Sequence, residues 1–235
     1  MLFHLYGVYL NFRGVLFDLD GTLIRYSVDR VNLTRDILKS LRKFNIYFQI
    51  YSEADYPISM VRKTIRVLEG MKVPKWFIDN VSSTLFRIIE FYEVEASNRT
   101  SLIEGAYEAL SFVKSIGFKC GLITLNSRRS TEIVLDKFNL KNFFDAIVTR
   151  NDVKNFKPHV EHLVKAISLM ELNPTEVIVV GDSIIDIIPA LALNAFPVAV
   201  KTGVRSEDEL RSAGAKIVLN SIAEFPGWLQ KFLYN

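Results

Sequence analysis

The stretch that decides the fold is RGVLFDLDGTLI, residues 13–24. Its apolar run at 15–17 predicts a buried strand, because β-branched and aromatic residues favour strands. Two carboxylates, Asp18 and Asp20, follow the run, and alternate residues of a strand face the same way. We therefore expect both side chains to point at one place beyond the carboxyl end of the strand, where open parallel α/β sheets bind ligands.

After Ile24 the pattern of apolar residues changes from strand-like to helical. Three amphipathic segments between residues 25 and 97 predict helices. The first contains Ile37 and Leu41 and is capped by Asn32 or Thr34, and the others open at Pro57 and near residue 74. Residues 45–51, NIYFQIY, fit either a strand or a helix.

From about residue 100 the sequence alternates between helices and strands. Predicted helices lie at 104–115, 127–138, 160–170, 184–193 and about 207–212. Apolar runs predict strands at 118–125, 146–149, 177–180, 196–200 and 216–219. Such alternation is typical of a parallel sheet covered on both faces. The predicted fold class is therefore α/β, with a Rossmann-like parallel sheet.

The composition narrows the function classes. Apolar residues make up 49% and charged residues 23%, as in folded soluble proteins. A net charge of +3 on scattered lysines and arginines predicts no nucleic-acid partner, and no apolar stretch predicts a membrane span. Residues 1–12 lack the features of a signal peptide and predict an extra strand or an arm, so a cytoplasmic location is expected. The single cysteine, Cys120, lies in an apolar run and is interpreted as an inert core residue.

Polar residues also follow three later strands. Thr124 precedes a helix start and offers a hydroxyl that suits a phosphate oxygen. Lys157, in NFKPH, could neutralise a cluster of carboxylates and phosphate. Asp182 and Asp186, in GDSIID, lie one helical turn apart and carry the oxygen ligands that Mg²⁺ prefers. Each of these signals alone also has an ordinary structural explanation. Only their occurrence together indicates a functional site.

Together with DLDGTL at 18–23, these stretches resemble, in order, the four motifs of the haloacid dehalogenase-like superfamily. The likeness is to its phosphoglycolate phosphatase and β-phosphoglucomutase branch, and it extends from residue 14 to about 203. It implies a Rossmann-like core domain made of residues 1–24 and 100–235. It also implies a helical cap domain, residues 25–99, inserted after the first core strand, with linkers near 23–27 and 97–101.

The resemblance implies a role for each motif residue. Asp18 is implied as the nucleophile that becomes an aspartyl-phosphate, and Asp20 as the general acid and base. Thr124, the backbone of Leu125 and Lys157 are implied to bind the phosphoryl group. Relatives often carry Asn directly after the Thr, whereas here Leu125 intervenes before Asn126. The implied surroundings of a Mg²⁺ ion are Asp18, the Leu19 carbonyl, Asp20, Asp182 and Asp186, of which Asp186 would hold a metal-bound water or Lys157.

The expected activity is Mg²⁺-dependent hydrolysis of a small phosphorylated metabolite by a monomer or homodimer. Dehalogenases of the family lack the second Asp, so the presence of Asp20 argues against halide displacement. A phosphomutase is the nearest alternative, because no motif residue separates it from a phosphatase. A non-catalytic phosphate-binding module is a further alternative, and the intact motif residues argue against it, namely Asp18, Asp20, Lys157 and Asp182. His159 is interpreted as a flanking residue.

Overall fold

The computed structural model of the chain describes residues 3–5, 8–25, 27–47, 51 and 56–234. The chain divides into two compact units. The core unit consists of Met1–Tyr26 and Thr100–Asn235, and the helical unit consists of Ser27–Arg99. In the described residues, no helix combines the length and the apolar character that crossing a membrane requires.

The described residues of the helical unit form three helices, α1 Arg30–Lys43, α2 Pro57–Gly70 and α3 Lys75–Arg99. Each turns one apolar stripe inwards, as the spacing of Leu33, Ile37 and Leu41 on α1 illustrates. Pro57 opens α2 as predicted, since a proline at the first position loses no helical hydrogen bond. The predicted cap of α1 is wrong: the Asp29 carboxylate accepts the backbone N–H of Asn32 at 3.1 Å. Residues 45–47 and 51 belong to no helix or strand, and 48–50 lie outside the described residues.

The N-terminal segment contains two short strands that pair antiparallel. β1, Phe3–Leu5, pairs with β2, Val8–Leu10. The two strands form a sheet of their own, separate from the main sheet of the core unit. This segment was expected to form an extra strand or an arm, and its described residues form two strands.

A six-stranded parallel sheet organises the core unit, as the sequence predicted. The strands, in chain order, are β3 Gly14–Phe17, β4 Lys119–Ile123, β5 Ala146–Val148, β6 Val177–Gly181, β7 Phe196–Val200 and β8 Ile217–Leu219. Their spatial order is β5-β4-β3-β6-β7-β8, so β3 lies inside the sheet between β4 and β6. All four residues of β3 are buried, which explains its uninterrupted apolar character.

Helices cover both faces of this sheet. They are α4 Ala106–Ser115, α5 Arg128–Lys137, α6 Glu161–Leu169, α7 Ile184–Ala192, α8 Glu207–Ser212 and α9 Phe225–Tyr234. Val15 and Phe17 face the apolar side chains of α4, α5 and α9, whereas Leu16 faces those of α6 and α7. Four 3₁₀ turns join these elements, at Lys141–Phe143, Arg150–Asp152, Pro174–Glu176 and Ile222–Glu224.

The strand bounds differ from the prediction most clearly at β4. Residues 118–125 were expected to be one strand, but the strand is limited to Lys119–Ile123. The N–H of Phe118 still bonds to the Val113 carbonyl at the end of α4. At the other end, Thr124 and Leu125 have left the strand and begin the loop before α5. This loop therefore contains Thr124 and Leu125, two of the three residues expected to bind phosphate.

The two passages of the chain that flank the helical unit are joined by hydrogen bonds within the core unit. Ile24 and Leu102 form an antiparallel bridge. The Arg25 N–H donates to the Ser101 carbonyl at 3.0 Å, and the Ile103 N–H donates to the Leu23 carbonyl at 2.9 Å. Because α3 remains helical as far as Arg99, the predicted linker at 97–101 is shorter than expected.

Candidate active site

Three neighbouring strands bring the predicted residues to one edge of the sheet. Asp18 follows β3, Thr124 follows β4, and Asp182 follows β6. Parallel strands that lie side by side end at the same edge, so their first loop residues are close. Lys157 reaches this edge from the loop before α6.

Lys157 connects two of the aspartates. Its Nζ lies 2.6 Å from Asp18 Oδ1 and 2.6 Å from Asp186 Oδ1. It also donates to the Ile123 carbonyl at 3.4 Å. The side chain is only 1% exposed. Burial alone would lower the pKa of Lys157, but the charges of Asp18 and Asp186 outweigh burial and raise this pKa above its ordinary value. The ammonium is therefore charged and fixed.

The carboxylates outnumber this single ammonium. Asp18, Asp182 and Asp186 each place a carboxylate oxygen within 4.8 Å of the others. Burial raises the pKa of Asp182 well above its usual range, and the charges of Asp18 and Asp186 raise it further, as does that of Asp20 to a smaller extent. Burial is also the main reason why the pKa of Asp186 is raised to about 6. The site thus concentrates negative charge that one lysine does not balance.

The donor set fits a hard divalent cation. All three clustered groups are carboxylates, and oxygen is the ligand atom that Mg²⁺ and Ca²⁺ prefer. Asp186 Oδ2 is buried and has no hydrogen-bond partner among the described residues, as expected of an oxygen that meets a cation or its water. The Leu19 carbonyl fits less well, because it accepts the N–H groups of Leu23 and Ile24 at 2.9 and 3.0 Å. These bonds close the turn after β3 and compete with a metal for this oxygen.

Glycines make room for the carboxylates. A Cβ placed on Gly203 would lie 1.7 Å from Asp182 Oδ2, and one on Gly21 would lie 2.5 Å from the same oxygen. Gly21 also has a φ of +78°, which other residues rarely adopt. On the far side of the cluster, a Cβ on Gly181 would lie 2.4 Å from the Asp186 carboxyl. Backbone therefore packs directly against both acidic groups.

Gly203→Ala is expected to weaken metal binding roughly 10–100-fold, the usual cost of disturbing the groups that hold a ligand in place. The new methyl group must displace the Asp182 carboxylate, because it would overlap Oδ2. Isothermal titration with Mg²⁺ or Mn²⁺ measures the effect. Gly227→Ala is the matched control, since a Cβ there meets no heavy atom within 4 Å. Equal metal affinity in the two variants would contradict the expected role of Asp182 as a metal ligand.

Thr124 lies in a loop that is held at several points. It is 1% exposed, its N–H donates to the Val148 carbonyl at 3.0 Å, and its Oγ1 accepts the Asn126 N–H at 3.1 Å. Arg150, itself buried, donates to the Leu125 carbonyl at 2.7 Å. The Ser127 side chain accepts the Ser130 N–H and so caps α5. The loop thus presents a helix N-terminus beside a fixed hydroxyl, which suits an anion.

Sequence reasoning missed several residues that contact the residues of this site or their loops. Arg150, His162, Thr202 and Gly203 belong to no stretch that we had interpreted as functional, and Thr202 Oγ1 donates to the Gly21 carbonyl. His162 alone carried a signal, because it is a polar residue on the apolar stripe that Leu163, Ala166 and Ile167 define. His159 is exposed, and its Nδ1 accepts the Glu161 N–H at 3.1 Å, as suits a flanking residue.

Known proteins resemble this chain both in sequence and in fold. The model of the family described as haloacid dehalogenase-like hydrolase matches residues 15–200. Pyrophosphatase PpaX from Bacillus cereus (strain G9842) is 30% identical over 220 residues, which are 92% of this chain and 95% of the relative. Pyrophosphatase PpaX from Bacillus mycoides (strain KBAB4) is 29% identical with the same coverage.

Solved structures agree on the architecture. A predicted phosphatase from Clostridium acetobutylicum has a TM-score of 0.68 at 25% identity, covering 94% of this chain and 99% of that one. A hydrolase from Pseudomonas syringae has a TM-score of 0.70 at 24% identity, with coverage of 93% and 98%. A protein assigned as a β-phosphoglucomutase from Bacteroides vulgatus has a TM-score of 0.67 at 24% identity, with coverage of 96% and 92%. The resemblance seen in the four motifs is thereby confirmed, and the chain belongs to the haloacid dehalogenase-like hydrolase family as a phosphatase-type enzyme.

Proposed function

We propose that this enzyme hydrolyses small phosphorylated metabolites in a Mg²⁺-dependent reaction, through an aspartyl-phosphate on Asp18. The observation that supports the proposal most directly is the cluster at the sheet edge. There the Lys157 ammonium contacts Asp18 and Asp186 at 2.6 Å, and Asp182 completes a group of three close carboxylates. Such a group offers a nucleophile, a cation site and a positive charge for one phosphoryl group.

In the proposed first step, a carboxylate oxygen of Asp18 attacks phosphorus, the bond from phosphorus to the ester oxygen breaks, and Asp20 donates a proton to the leaving alcohol. In the second step, Asp20 removes a proton from water, the water oxygen attacks phosphorus, and the Asp18 carboxylate is released with inorganic phosphate. Thr124, the Leu125 backbone N–H and Lys157 bind the phosphoryl oxygens throughout.

The proposed metal ligands come from the acidic cluster. Asp18 and Asp182 would hold Mg²⁺ directly, Asp186 would hold Lys157 and a metal-bound water, and Asp20 lies close enough for its charge to affect Asp182. When bound, the ion would spread the negative charge of the transferring phosphoryl group. The contacts of the Leu19 carbonyl argue against this oxygen as a ligand.

We further propose that the helical unit serves as a cap that encloses the substrate and sets specificity. Its insertion between the first core strand and the rest of the core unit supports this role. Pyrophosphate is included among the candidate substrates because of the activity for which the Bacillus relatives are named. A panel of phosphorylated metabolites and pyrophosphate would identify the substrate class.

A phosphomutase is the second candidate, favoured by the structural likeness to the Bacteroides vulgatus protein. The two activities differ in the fate of the phosphoryl group. A phosphatase releases one inorganic phosphate for each substrate consumed. A mutase converts a sugar phosphate into its isomer and depends on a bisphosphate. Parallel assays for phosphate release and for isomerisation, with and without added bisphosphate, therefore separate the two.

Turnover of p-nitrophenyl phosphate is expected to require Mg²⁺ and to be inhibited by Ca²⁺. Calcium takes more ligands at longer distances, so it can bind both oxygens of Asp18 and turn the nucleophile away from phosphorus. The assay follows p-nitrophenolate after treatment with EDTA, and then after addition of each ion alone or both together. Thermal unfolding in EDTA serves as the control for a folded apoprotein. Full activity after verified metal removal would rule out the proposed site.

A further inference from the structure

His162 is a fully buried polar residue that the proposed mechanism does not use. It lies on α6, five residues after Lys157, and its exposure is 0%. Its Nε2 lies 3.0 Å from the Val148 carbonyl oxygen, and its Nδ1 lies 3.4 Å from the backbone nitrogen of Lys157. The imidazole therefore lies between the end of β5 and the loop that presents Lys157.

The two contacts define the protonation state of the ring. A carbonyl oxygen only accepts, so Nε2 must carry a proton and donate it to Val148. A backbone N–H only donates, so Nδ1 must be unprotonated to accept from Lys157. Burial, together with the charge of Lys157, lowers the pKa of His162 to about 4, although the hydrogen bond to Val148 and the charges of Asp152 and Glu161 act in the opposite direction. The ring is thus a neutral imidazole with one donor and one acceptor, both used.

The Val148 carbonyl joins this contact to the phosphate loop. The same oxygen accepts the N–H of Thr124 at 3.0 Å. A continuous path therefore runs from Thr124 through the Val148 carbonyl and His162 to the backbone of Lys157. The Nζ of Lys157 donates to the carbonyl of Ile123 at 3.4 Å, and Ile123 is the last residue of β4, directly before the phosphate loop. His162 thus connects the backbone positions of two residues that are expected to bind the phosphoryl group.

We propose that His162 is a positioning residue that fixes the backbone of Lys157 relative to Thr124 and thereby sets the affinity of the site for phosphate. The proposal rests on the proposed function. A lysine side chain has four methylene groups, so its ammonium is placed accurately only if its backbone is held. Loss of the imidazole would remove the acceptor that His162 Nδ1 supplies to the Lys157 N–H, so the backbone of this loop would be held less firmly.

Three substitutions distinguish the effects of the two hydrogen bonds made by His162. His162→Leu removes both at similar volume. His162→Asn keeps an oxygen near the position of Nδ1, so it can accept from Lys157. His162→Gln keeps an amide near the position of Nε2, so it can donate to Val148. Leu163→Ala is the matched control, because Leu163 lies on the same helix and is fully buried. It belongs to the apolar cluster that contains Leu16 of β3.

The measurement is the affinity for inorganic phosphate in the presence of Mg²⁺, by calorimetry and as product inhibition of p-nitrophenyl phosphate turnover. Small displacements of the groups that hold a ligand change its binding or turnover on the order of 10- to 10²-fold. We expect His162→Leu to weaken phosphate binding by this amount, and His162→Asn to recover more of the affinity than His162→Gln. Leu163→Ala should lower the unfolding temperature and leave phosphate affinity unchanged.

Nitrogen NMR of the histidines adds a readout independent of turnover, since it should report His162 as the Nε2–H tautomer. A charged ring, or the other tautomer, would overturn the proposal. So would a His162→Leu variant whose phosphate affinity matches that of Leu163→Ala, and in that case the phosphatase activity of the wild type would still stand. A wild-type protein that neither hydrolyses phosphate esters nor binds phosphate would overturn the proposed function and this inference together.

Discussion

Asp18→Asn is expected to abolish turnover and to leave the fold intact. An amide oxygen is a far weaker nucleophile than a carboxylate, whereas the volume of the side chain is almost unchanged. Lys157 would keep its contact with Asp186, so its ammonium would not be left unpaired. Steady-state assays with p-nitrophenyl phosphate and circular dichroism measure the two properties in parallel. Activity at even a tenth of the wild-type value would exclude Asp18 as the nucleophile.

The same substitution at a remote aspartate provides the control. Asp145 is an exposed residue whose carboxylate accepts the Cys120 N–H at 2.8 Å and pairs with Lys114 at 3.0 Å. Asp145→Asn should therefore affect stability without affecting chemistry. Mass spectrometry of acid-quenched protein gives a second test, because the wild type should carry a phosphoryl group on the peptide that contains Asp18. The Asp18→Asn protein should carry none under the same conditions.

Asp20→Asn is expected to slow the reaction by about 10²–10⁴-fold with alkyl phosphates, because loss of a general acid–base usually costs this much. The p-nitrophenolate leaving group needs little protonation, so its release in the first step should be affected much less. The second step needs Asp20 as a base for every substrate. A rapid burst of p-nitrophenolate followed by slow turnover is therefore expected from this variant.

Stopped-flow absorbance measures this burst, and quench-flow with an alkyl phosphate measures the matching step for a poor leaving group. Ser83→Ala provides a surface control, because Ser83 is exposed on α3 and its hydroxyl donates to the Asn80 carbonyl of its own helix. If the first step were slowed equally for both leaving groups, Asp20 would not be the acid.

Apolar periodicity was sufficient to predict the sheet and most helices. The strands β3 and β6 are buried along their whole length, so the runs at 14–17 and 177–181 carry an unambiguous signal. Helix α9 was not predicted, although Phe225, Leu229 and Leu233 form a regular buried stripe. Pro226 and Gly227 in its first turn are residues that usually interrupt helices, and they masked this stripe.

From the sequence, the residues of the candidate site could be predicted only where they follow strands that lie side by side in the sheet. Residues that end adjacent parallel strands must meet, which is why Asp18, Thr124 and Asp182 could be grouped from the sequence. Lys157 lies on a loop, so the sequence offered only its charge as a reason to place it in this group, and the family resemblance supplied its role. Gly203 could not be found in this way, because its importance depends on a tertiary contact with Asp182. His162 stood out only as a polar residue on an apolar stripe, and no local pattern encodes its contact with Val148.

The paired passages beside the helical unit have a consequence for the order of folding. The bridge between Ile24 and Leu102 closes a loop that contains all the residues between them. The entropic cost of closing a loop rises with the number of flexible residues it contains. A helical unit with its own apolar interior can collapse first through contacts near in sequence, which draws the two ends together. The insertion therefore contributes fewer flexible residues to the loop than its length suggests. The entropic cost of pairing β3 with β4 and β6 is correspondingly lower.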